Sequence, residues 1–214
     1  MNLNISYFSK YNLKLKELKE VILQQSISTV IQEKSTSSTD MNKFNYDLDF
    51  KAVDFRKNPE LYRIGVGEQG VLLVEPYKSE LLPLWRFKTV NIATQSSKAI
   101  FDKFEEYLQD KDLVGADMAR KYLQMGFTRA RRYANHASGH KYQKTKQREE
   151  DVPYPYSSGS KFNENPVLPQ EEDALTNEKA KAAQIFKEAW FKAKDNPEYK
   201  SLKEAFRNKY YTKA

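Results

Sequence analysis

The chain has 214 residues, and its 36 lysines and arginines outnumber its 29 aspartates and glutamates, which gives a formal net charge of +7 at neutral pH. It contains no cysteine, which excludes disulfides and thiolate metal sites. No apolar run approaches the roughly 20 residues that a membrane-spanning helix needs, and lysines interrupt the N-terminal region where a signal peptide has its apolar core. We therefore expect a soluble cytoplasmic protein without a membrane partner, built from one sizeable core and appendages.

Residues 1–34 are predicted to form a separate amphipathic helix. Leu15, Leu18 and Ile22 follow helical spacing, and lysines lie between them. Such a helix more often docks on its own domain or on a partner than on a membrane, so it is a candidate site for a protein partner. Residues 35–41 are rich in serine and threonine and are predicted to be a linker.

The core domain is predicted to span residues 42–148 and to begin with a small antiparallel sheet. Two glycines in residues 67–70 permit the positive φ of a tight turn between two apolar runs. Residues 85–88 alternate aromatic and basic side chains, a pattern typical of a half-buried strand. Strands are therefore expected at residues 62–66, 71–77 and 84–89.

Two helices are predicted to cover this sheet. Ser96 or Ser97 can cap the first, whose apolar residues recur at helical spacing as far as Leu108. Asp112 can cap the second, which is expected to stop before Ser138. The predicted fold class is therefore α+β, with a small antiparallel sheet at residues 61–89 covered by helices near 96–110 and 113–135.

The most distinctive feature of the sequence is its basic segment, residues 118–148, which carries nine lysines and arginines and no aspartate or glutamate. Each phosphate that a lysine or arginine neutralises releases condensed counterions, so such a segment favours a polyanion as the binding partner. Tyrosines and phenylalanine lie among the charges and can stack on bases. The nine charged residues are Arg120, Lys121, Arg129, Arg131, Arg132, Lys141, Lys144, Lys146 and Arg148.

Nucleic acid is therefore the predicted partner of the basic segment. The alternative interpretation is a solvated helix face whose charges serve solubility. No helix-turn-helix, zinc-finger or ribonucleoprotein signature is present in the sequence, so the pattern does not distinguish DNA from RNA. The predicted contact residues are Arg120, Lys121, Arg129, Arg131, Arg132, Tyr133, His136, Lys141 and Lys144.

The sign of the charge reverses after the basic segment. Residues 149–178 contain eight acids against Lys161 alone, together with four prolines. Residues 149–176 are therefore predicted to form an extended linker or a strap over the body, and the acids of this strap can fold back on the basic segment. Residues 177–214 are predicted to form a C-terminal helical hairpin, whose second helix begins at Asn196-Pro197-Glu198.

Three patterns resemble functional sites but have simpler explanations. Residues 65–70 have the G-x-G-x-x-G spacing of a dinucleotide-binding loop, yet a strand-like run follows them where a helix is required. His136 and His140 lie four residues apart without a third ligand nearby, so neither a metal site nor a cofactor is predicted. The sequence lacks a nucleophile motif, and the candidates for acid-base chemistry are Glu68, Glu75, Lys78, Glu80 and Arg86.

Four stretches of the core carry a resemblance to a known family: DFRKNPELYR at 54–63, GEQGVLLVEPYKSE at 67–80, WRFKT at 85–89 and MGFTRARRYANH at 125–136. They are similar to the domain of unknown function 4385 family, small cytoplasmic proteins of bacteria, fungi and tailed phages. The resemblance covers residues 44–142 and positions near 185–190 and 198–204, and it leaves the N-terminal helix and linker outside. It implies no activity, cofactor or catalytic residue.

The leading functional prediction is a non-catalytic nucleic-acid-binding accessory protein. The main alternative is a protein-interaction adaptor, in which the N-terminal helix or the C-terminal hairpin engages a host or phage protein. A third interpretation is an enzyme acting on a phosphorylated or nucleic-acid substrate, which requires the acid-base candidates to converge in one pocket.

Overall fold

The computed structural model of the protein describes residues 43–143 and 165–211. The predicted N-terminal helix, the Ser/Thr linker, Lys144 and residues 149–164 of the predicted strap lie outside the described residues. The adaptor function of the N-terminal helix therefore stays a prediction. The described residues belong to one compact unit, Asn42–Lys213.

Five α-helices form the described part of the chain. They are named α1 to α5 in chain order, and two short 3-10 turns lie at Pro59–Leu61 and Leu82–Leu84. The helices are α1 (Tyr77–Leu81), α2 (Val90–Gln109), α3 (Leu113–Asn135), α4 (Glu178–Asp195) and α5 (Pro197–Tyr210).

Side-chain caps explain where four of these helices begin. The side chain of Asp112 accepts a hydrogen bond from the Gly115 amide (3.0 Å), and Asn177 and Asn196 cap α4 and α5 in the same way. The starts of α3, α4 and α5 confirm the predicted positions of these helices. Helix α2 begins earlier than predicted because its cap is Thr89 rather than Ser96 or Ser97.

The predicted antiparallel sheet is wrong. The described residues contain no β-strand and one isolated antiparallel bridge, between Tyr142 and Val167. The fold class in these ranges is therefore helical rather than α+β. Residues expected in strands form irregular segments at 62–65 and 85–87, turns and bends, the first residue of the short helix α1 and the last residue of the 3-10 turn at Leu82–Leu84.

Prolines and the spacing of buried residues explain this error. Pro76 and Pro83 lack the amide hydrogen that a strand contributes to a ladder. The buried side chains follow helical rather than alternating spacing, since they recur every three or four residues at Val71, Val74, Tyr77 and Leu81.

The turn at residues 67–70 has the predicted backbone conformation but a different role. Gly67 and Gly70 have positive φ values of +60° and +81°. The amides of Leu73 and Val74 then donate to the Gly70 carbonyl, at 2.9 and 3.1 Å. The turn therefore leads into helical turns instead of closing a hairpin.

Helix α3 is the centre of the fold, because α1, α2, α4 and α5 all contact it. Gly126 allows α4 to approach closely, since a Cβ at that position would overlap the ring of Phe186. Every residue from 113 to 123 is buried. Charged residues in this stretch must therefore be satisfied inside the protein.

The described end of the strap, residues 165–176, pairs at its start with residues 141–143 of the basic segment in an antiparallel direction. The Gln143 amide donates to the Pro166 carbonyl and the Leu168 amide donates to the Lys141 carbonyl, both at 2.9 Å. This backbone pairing fixes the strap beside the residues that follow α3. Separately, no helix in the described ranges is both long and apolar enough to cross a lipid bilayer.

Candidate nucleic-acid interface

The N-terminal half of α3 buries a charged group around Asp117. The Asp117 carboxylate accepts hydrogen bonds from the Tyr199 hydroxyl (2.6 Å), from Arg120 Nε (2.9 Å) and from the Tyr62 hydroxyl. Arg120 is 8% exposed, and Asp117 is fully buried. We call this group, together with Lys121, the Asp117 cluster.

Lys121 completes the Asp117 cluster from the next position along the helix. Its Nζ lies 3.3 Å from Oδ2 of Asp117 and donates to the Gln69 carbonyl (2.7 Å) and the Tyr62 hydroxyl (3.1 Å). Because Tyr62 and Gln69 precede α1 and Tyr199 belongs to α5, the cluster fastens both segments to α3. A charged group of this kind holds the fold together only while every partner is present.

The ionisation of the Asp117 cluster follows from its burial and its partners. Burial by itself would raise the pKa of the Asp117 carboxyl, but the charges of Lys121 and Arg120 and the two tyrosine hydroxyls hold that pKa far below its usual range. Burial also raises the pKa of Tyr62 and Tyr199, with a further contribution from the Asp117 charge, so both hydroxyls stay protonated. Arg120 and Lys121, which the sequence predicted as phosphate contacts, are therefore buried and paired.

Two further predicted contacts hold the strap against α3. Nη2 of Arg131 donates to Oδ1 of Asn135 (2.6 Å) and to the Ala174 carbonyl. His136 is buried, and its Nδ1 lies 3.0 Å from the Pro169 carbonyl. Arg131 and His136 therefore bind the protein's own backbone.

The C-terminal half of α3 presents the remaining predicted contacts at the surface. Arg129 and Arg132 are half-buried, and within residues 43–143 and 165–211 neither side chain has a hydrogen bond or an ion pair. Burial and the nearby charge of Arg129 lower the pKa of the Arg132 guanidinium. Tyr133 is 41% exposed, and Lys141 is exposed with its Nζ 5.2 Å from the centroid of the Tyr142 ring.

The acids of the described strap do not neutralise this surface. The Glu171 carboxylate accepts the Ala137 amide (3.2 Å), and Asp173 accepts the side-chain amide of Asn177 (3.1 Å). Within residues 165–176 no strap carboxylate forms an ion pair with Arg129 or Arg132. The described strap therefore does not neutralise the two arginines, and the acid that acts on Arg132 is Glu68, which partly opposes the lowering of its pKa.

Tyr133 also lines an open groove of about 400 Å³. The aromatic side of the groove is a chain of three rings, with centroids 5.1 Å apart for Trp85 and Phe87 and 5.9 Å apart for Phe87 and Tyr133. Leu82 completes the apolar lining. The charged lining contains no carboxylate and consists of Arg86, Lys88 and Lys179.

Hydrogen bonds from α2 fix the loop that carries Arg86. The Ser96 hydroxyl donates to the Leu84 carbonyl (2.7 Å) and accepts a hydrogen bond from the Arg86 amide (2.9 Å). Nη1 of the Arg86 side chain donates to the Trp85 carbonyl (2.7 Å). The guanidinium is thereby held at the groove, while its Nε and Nη2 make no hydrogen bond to any described residue.

Lys179, at the start of α4, fastens the same loop from the other side. Its Nζ donates to the Phe87 carbonyl (3.2 Å) and to the Lys88 carbonyl, and it lies 5.5 Å from the centroid of the Phe87 ring. Burial lowers the pKa of Lys179, an effect that Glu178 opposes and Lys88 reinforces. The Glu178 carboxylate accepts the Val90 amide (3.3 Å) instead of pairing with a groove cation.

A comparison with protein families places both regions in one family domain. Residues 45–209 match the family model described as Domain of unknown function (DUF4385). The chain belongs to this family. No curated protein and no solved structure gives a significant match. The match confirms the resemblance found in the sequence, and the matched range of the DUF4385 domain includes the Asp117 cluster and the groove.

The acid-base candidates do not meet in the groove of the DUF4385 domain. Arg86 lines the groove, whereas within the described chain Glu68, Glu75 and Lys78 do not. Glu75 pairs with Lys78 (2.9 Å), and Glu68 accepts a hydrogen bond from the Thr128 hydroxyl (2.5 Å). Local pairs therefore account for these side chains.

Asp117 and Lys179 are the two important residues that the sequence reasoning missed. Asp117 lies three and four residues before Arg120 and Lys121, the spacing at which helical side chains meet, so a signal for the buried pairs was present. Lys179 reaches the groove of the DUF4385 domain from a different helix, and no local pattern links it to Tyr133. The nearest available signal was the alternation of aromatic and basic residues at 85–88, which was interpreted as a strand.

Proposed function

We propose that the protein binds nucleic acid, without catalysing a reaction on it, through the surface around Tyr133. The observation that supports this function is a groove that combines three rings with three cations and contains no carboxylate. We call the following residues the Tyr133 surface: Arg86, Lys88, Arg129, Arg132, Tyr133 and Lys179.

The charge of the Tyr133 surface suits a phosphate backbone. Arg129 precedes Tyr133 by four residues on α3 and therefore shares its side of the helix, and Arg132 adds a cation at the position directly before Tyr133. Across the groove, Arg86 and Lys88 add two exposed cations. A ligand that carries one phosphate per nucleotide can neutralise both sides at once and release counterions from each.

Aromatic rings next to these cations favour nucleic acid over a simple anion. Flat rings interleaved with lysine and arginine allow bases to stack while phosphates are neutralised. Lys141 follows Gly139, whose backbone packs on the Tyr133 ring, so it extends the cationic surface along the chain.

The salt dependence of binding tests this function. Fluorescence anisotropy with a labelled oligonucleotide at several ionic strengths gives the slope of log K against log salt concentration. Removing two phosphate contacts with Lys88→Gln and Arg132→Gln is expected to reduce the magnitude of that slope by roughly 1 to 2.

A matched double variant controls for net charge. Lys98→Gln with Lys200→Gln removes two exposed lysines that already pair with Asp102 and Asp195, away from the groove lining. This control is expected to leave the slope unchanged. Binding that does not depend on salt, or an equal loss in both double variants, would overturn the proposed function.

A further inference from the structure

We propose that the ligand is single-stranded and that the groove holds one unpaired base stacked on Tyr133. This inference rests on the proposed function and specifies the substrate class of the same surface. It follows from the shape of the groove, the support of the Tyr133 ring and the burial of α3.

The groove is suited to a single base. Its volume of about 400 Å³ lies in the range of pockets that hold small-molecule ligands. Its apolar side is made of rings rather than aliphatic side chains, and every base has a π-face that can stack on such a ring. Bases inside a duplex are already stacked on their neighbours and present only their edges.

The Tyr133 ring is held in place as a stacking platform. Gly139 has a φ of +71°, and a Cβ at that position would lie 2.6 Å from the Tyr133 ring, so only glycine allows this contact. The Phe87 ring contacts Tyr133 at 43° between planes. With these neighbours the ring is still 41% exposed, so stacking requires little further ordering of the side chain.

Helix α3 is poorly placed to read a duplex. A recognition helix lies in the major groove and presents side chains over successive turns. In α3 every residue from 113 to 123 is buried, and the Arg131 side chain binds Ala174 of the strap. Tyr133 is the only exposed residue of α3, so the helix does not present a row of exposed side chains over successive turns, whereas a single strand needs only the groove and its flanking cations.

Cations on both sides of the platform define how the strand is held. Arg86 and Lys88 line the groove on the loop side, and Arg129 and Arg132 lie on α3 next to the groove residue Tyr133 in the chain but outside the lining. A base that occupies the groove has a phosphate on each side along the strand. We therefore place one flanking phosphate at the loop cations and the other at the α3 arginines.

The test compares the binding of three probes of equal length by fluorescence anisotropy at one ionic strength. The probes are a mixed-sequence single strand, the same strand with abasic sites in place of its bases, and a duplex of the same sequence. All three are made in DNA, and the two single-stranded probes are also made in RNA. We expect the single strand to bind at least 10-fold more tightly than the abasic strand.

Variants of Tyr133 isolate the stacking contribution. Tyr133→Leu keeps an apolar side chain against Phe87 and Gly139 but removes the aromatic face. It is expected to weaken single-strand binding by about 5-fold to 150-fold, the loss of one base–aromatic stack. It is also expected to leave the abasic and duplex probes unchanged, and Tyr133→Phe is expected to bind like the wild type. An unchanged melting temperature of both variants shows that the fold is intact.

The possible outcomes separate the two proposals. The inference is overturned if the abasic strand binds as tightly as the single strand with bases. It is also overturned if Tyr133→Leu binds the single strand with bases as tightly as the wild type does. In both cases the proposed salt-dependent binding of phosphates stands. Tighter binding of the duplex than of the single strand also overturns the inference. If no probe binds, both this inference and the proposed function fail.

Discussion

The two halves of α3 carry the same kinds of basic side chain in opposite environments. In the N-terminal half, Arg120 and Lys121 are buried against Asp117 and two tyrosine hydroxyls. In the C-terminal half, Arg129 and Arg132 are half-buried and have no ion pair within the described residues. A basic segment in a sequence is therefore not equivalent to a basic surface.

The position of one carboxylate accounts for this difference. A buried cation is tolerated only when a counter-ion and hydrogen-bond partners replace the water that it loses. Asp117 supplies the counter-ion to the first half of the helix, and no acid lies among residues 118–135 to do the same for the second half. The comparison predicts that removing a charge from the first half lowers the free energy of unfolding strongly. Removing a charge from the second half is predicted to leave the free energy of unfolding nearly unchanged.

The largest expected effect is that of Asp117→Asn. The substitution leaves Arg120 and Lys121 buried without their counter-ion, so the free energy of unfolding is expected to fall by about 3–5 kcal/mol. Urea denaturation followed by circular dichroism measures this change. Asp110→Asn, at an exposed position that ends α2, is the matched control and is expected to change stability by less than about 0.5 kcal/mol. Equal effects of the two variants would contradict the role assigned to Asp117.

A smaller effect is expected from acid. The pKa of the Asp117 carboxyl is lower in the folded protein than in the unfolded chain, so between those two values the unfolded chain binds more protons. The free energy of unfolding therefore falls as pH falls below about 4, by on the order of 2 kcal/mol from this group when about pH 2.5 is reached.

Tyr199→Phe locates the acid effect at the Asp117 cluster. It removes one hydroxyl that donates to Asp117, which raises the pKa of the carboxyl in the folded protein. The loss of stability still begins near the pKa of the unfolded chain, but it is smaller and ends at a higher pH than in the wild type. Denaturant titrations from about pH 1 to 6 on both proteins measure the size of this loss. An equally large loss in both proteins would show that Asp117 does not control acid stability.

The smallest effect is expected from Arg129→Gln combined with Arg132→Gln. Neither guanidinium has an ion pair in the described residues, and the repulsion between Arg129 and Arg132 is opposed by the charge of Glu68. We expect the free energy of unfolding to change by less than about 0.5 kcal/mol, while the affinity for the oligonucleotide falls. A loss of several kcal/mol in the same denaturation assay would mean that this half of α3 is as structural as the first.

Much of the helical framework could be predicted from local chemistry. Asp112, Asn177 and Asn196 cap the helices where the sequence indicated, because a capping side chain acts on amides only two or three residues away. The sheet could not be excluded as easily, since short apolar runs with glycines suit both strands and irregular turns. Pro76 and the helical spacing of Val71, Val74 and Tyr77 indicate helical turns rather than a strand.

The candidate site was predictable only in part. Tyr133, Arg129 and Arg132 were identified from the basic segment, because their charge and aromatic character are visible in the sequence. Their availability could not be read from the sequence, because burial depends on which segments pack on which side of α3. Lys179 and the loop at residues 85–88 meet Tyr133 only through the packing of α4 on α3.

The bond from Lys179 to the carbonyls of residues 87 and 88 has a consequence for dissecting this protein. A fragment that ended with the basic segment would retain all nine of its cations and lose the side chain that anchors the opposite wall of the groove. The basic segment is therefore not a transferable module. Binding in the groove is expected to require the chain through α4. Grafts or truncations that preserve only the charge are expected to keep electrostatic attraction to nucleic acid and to lose binding in the groove.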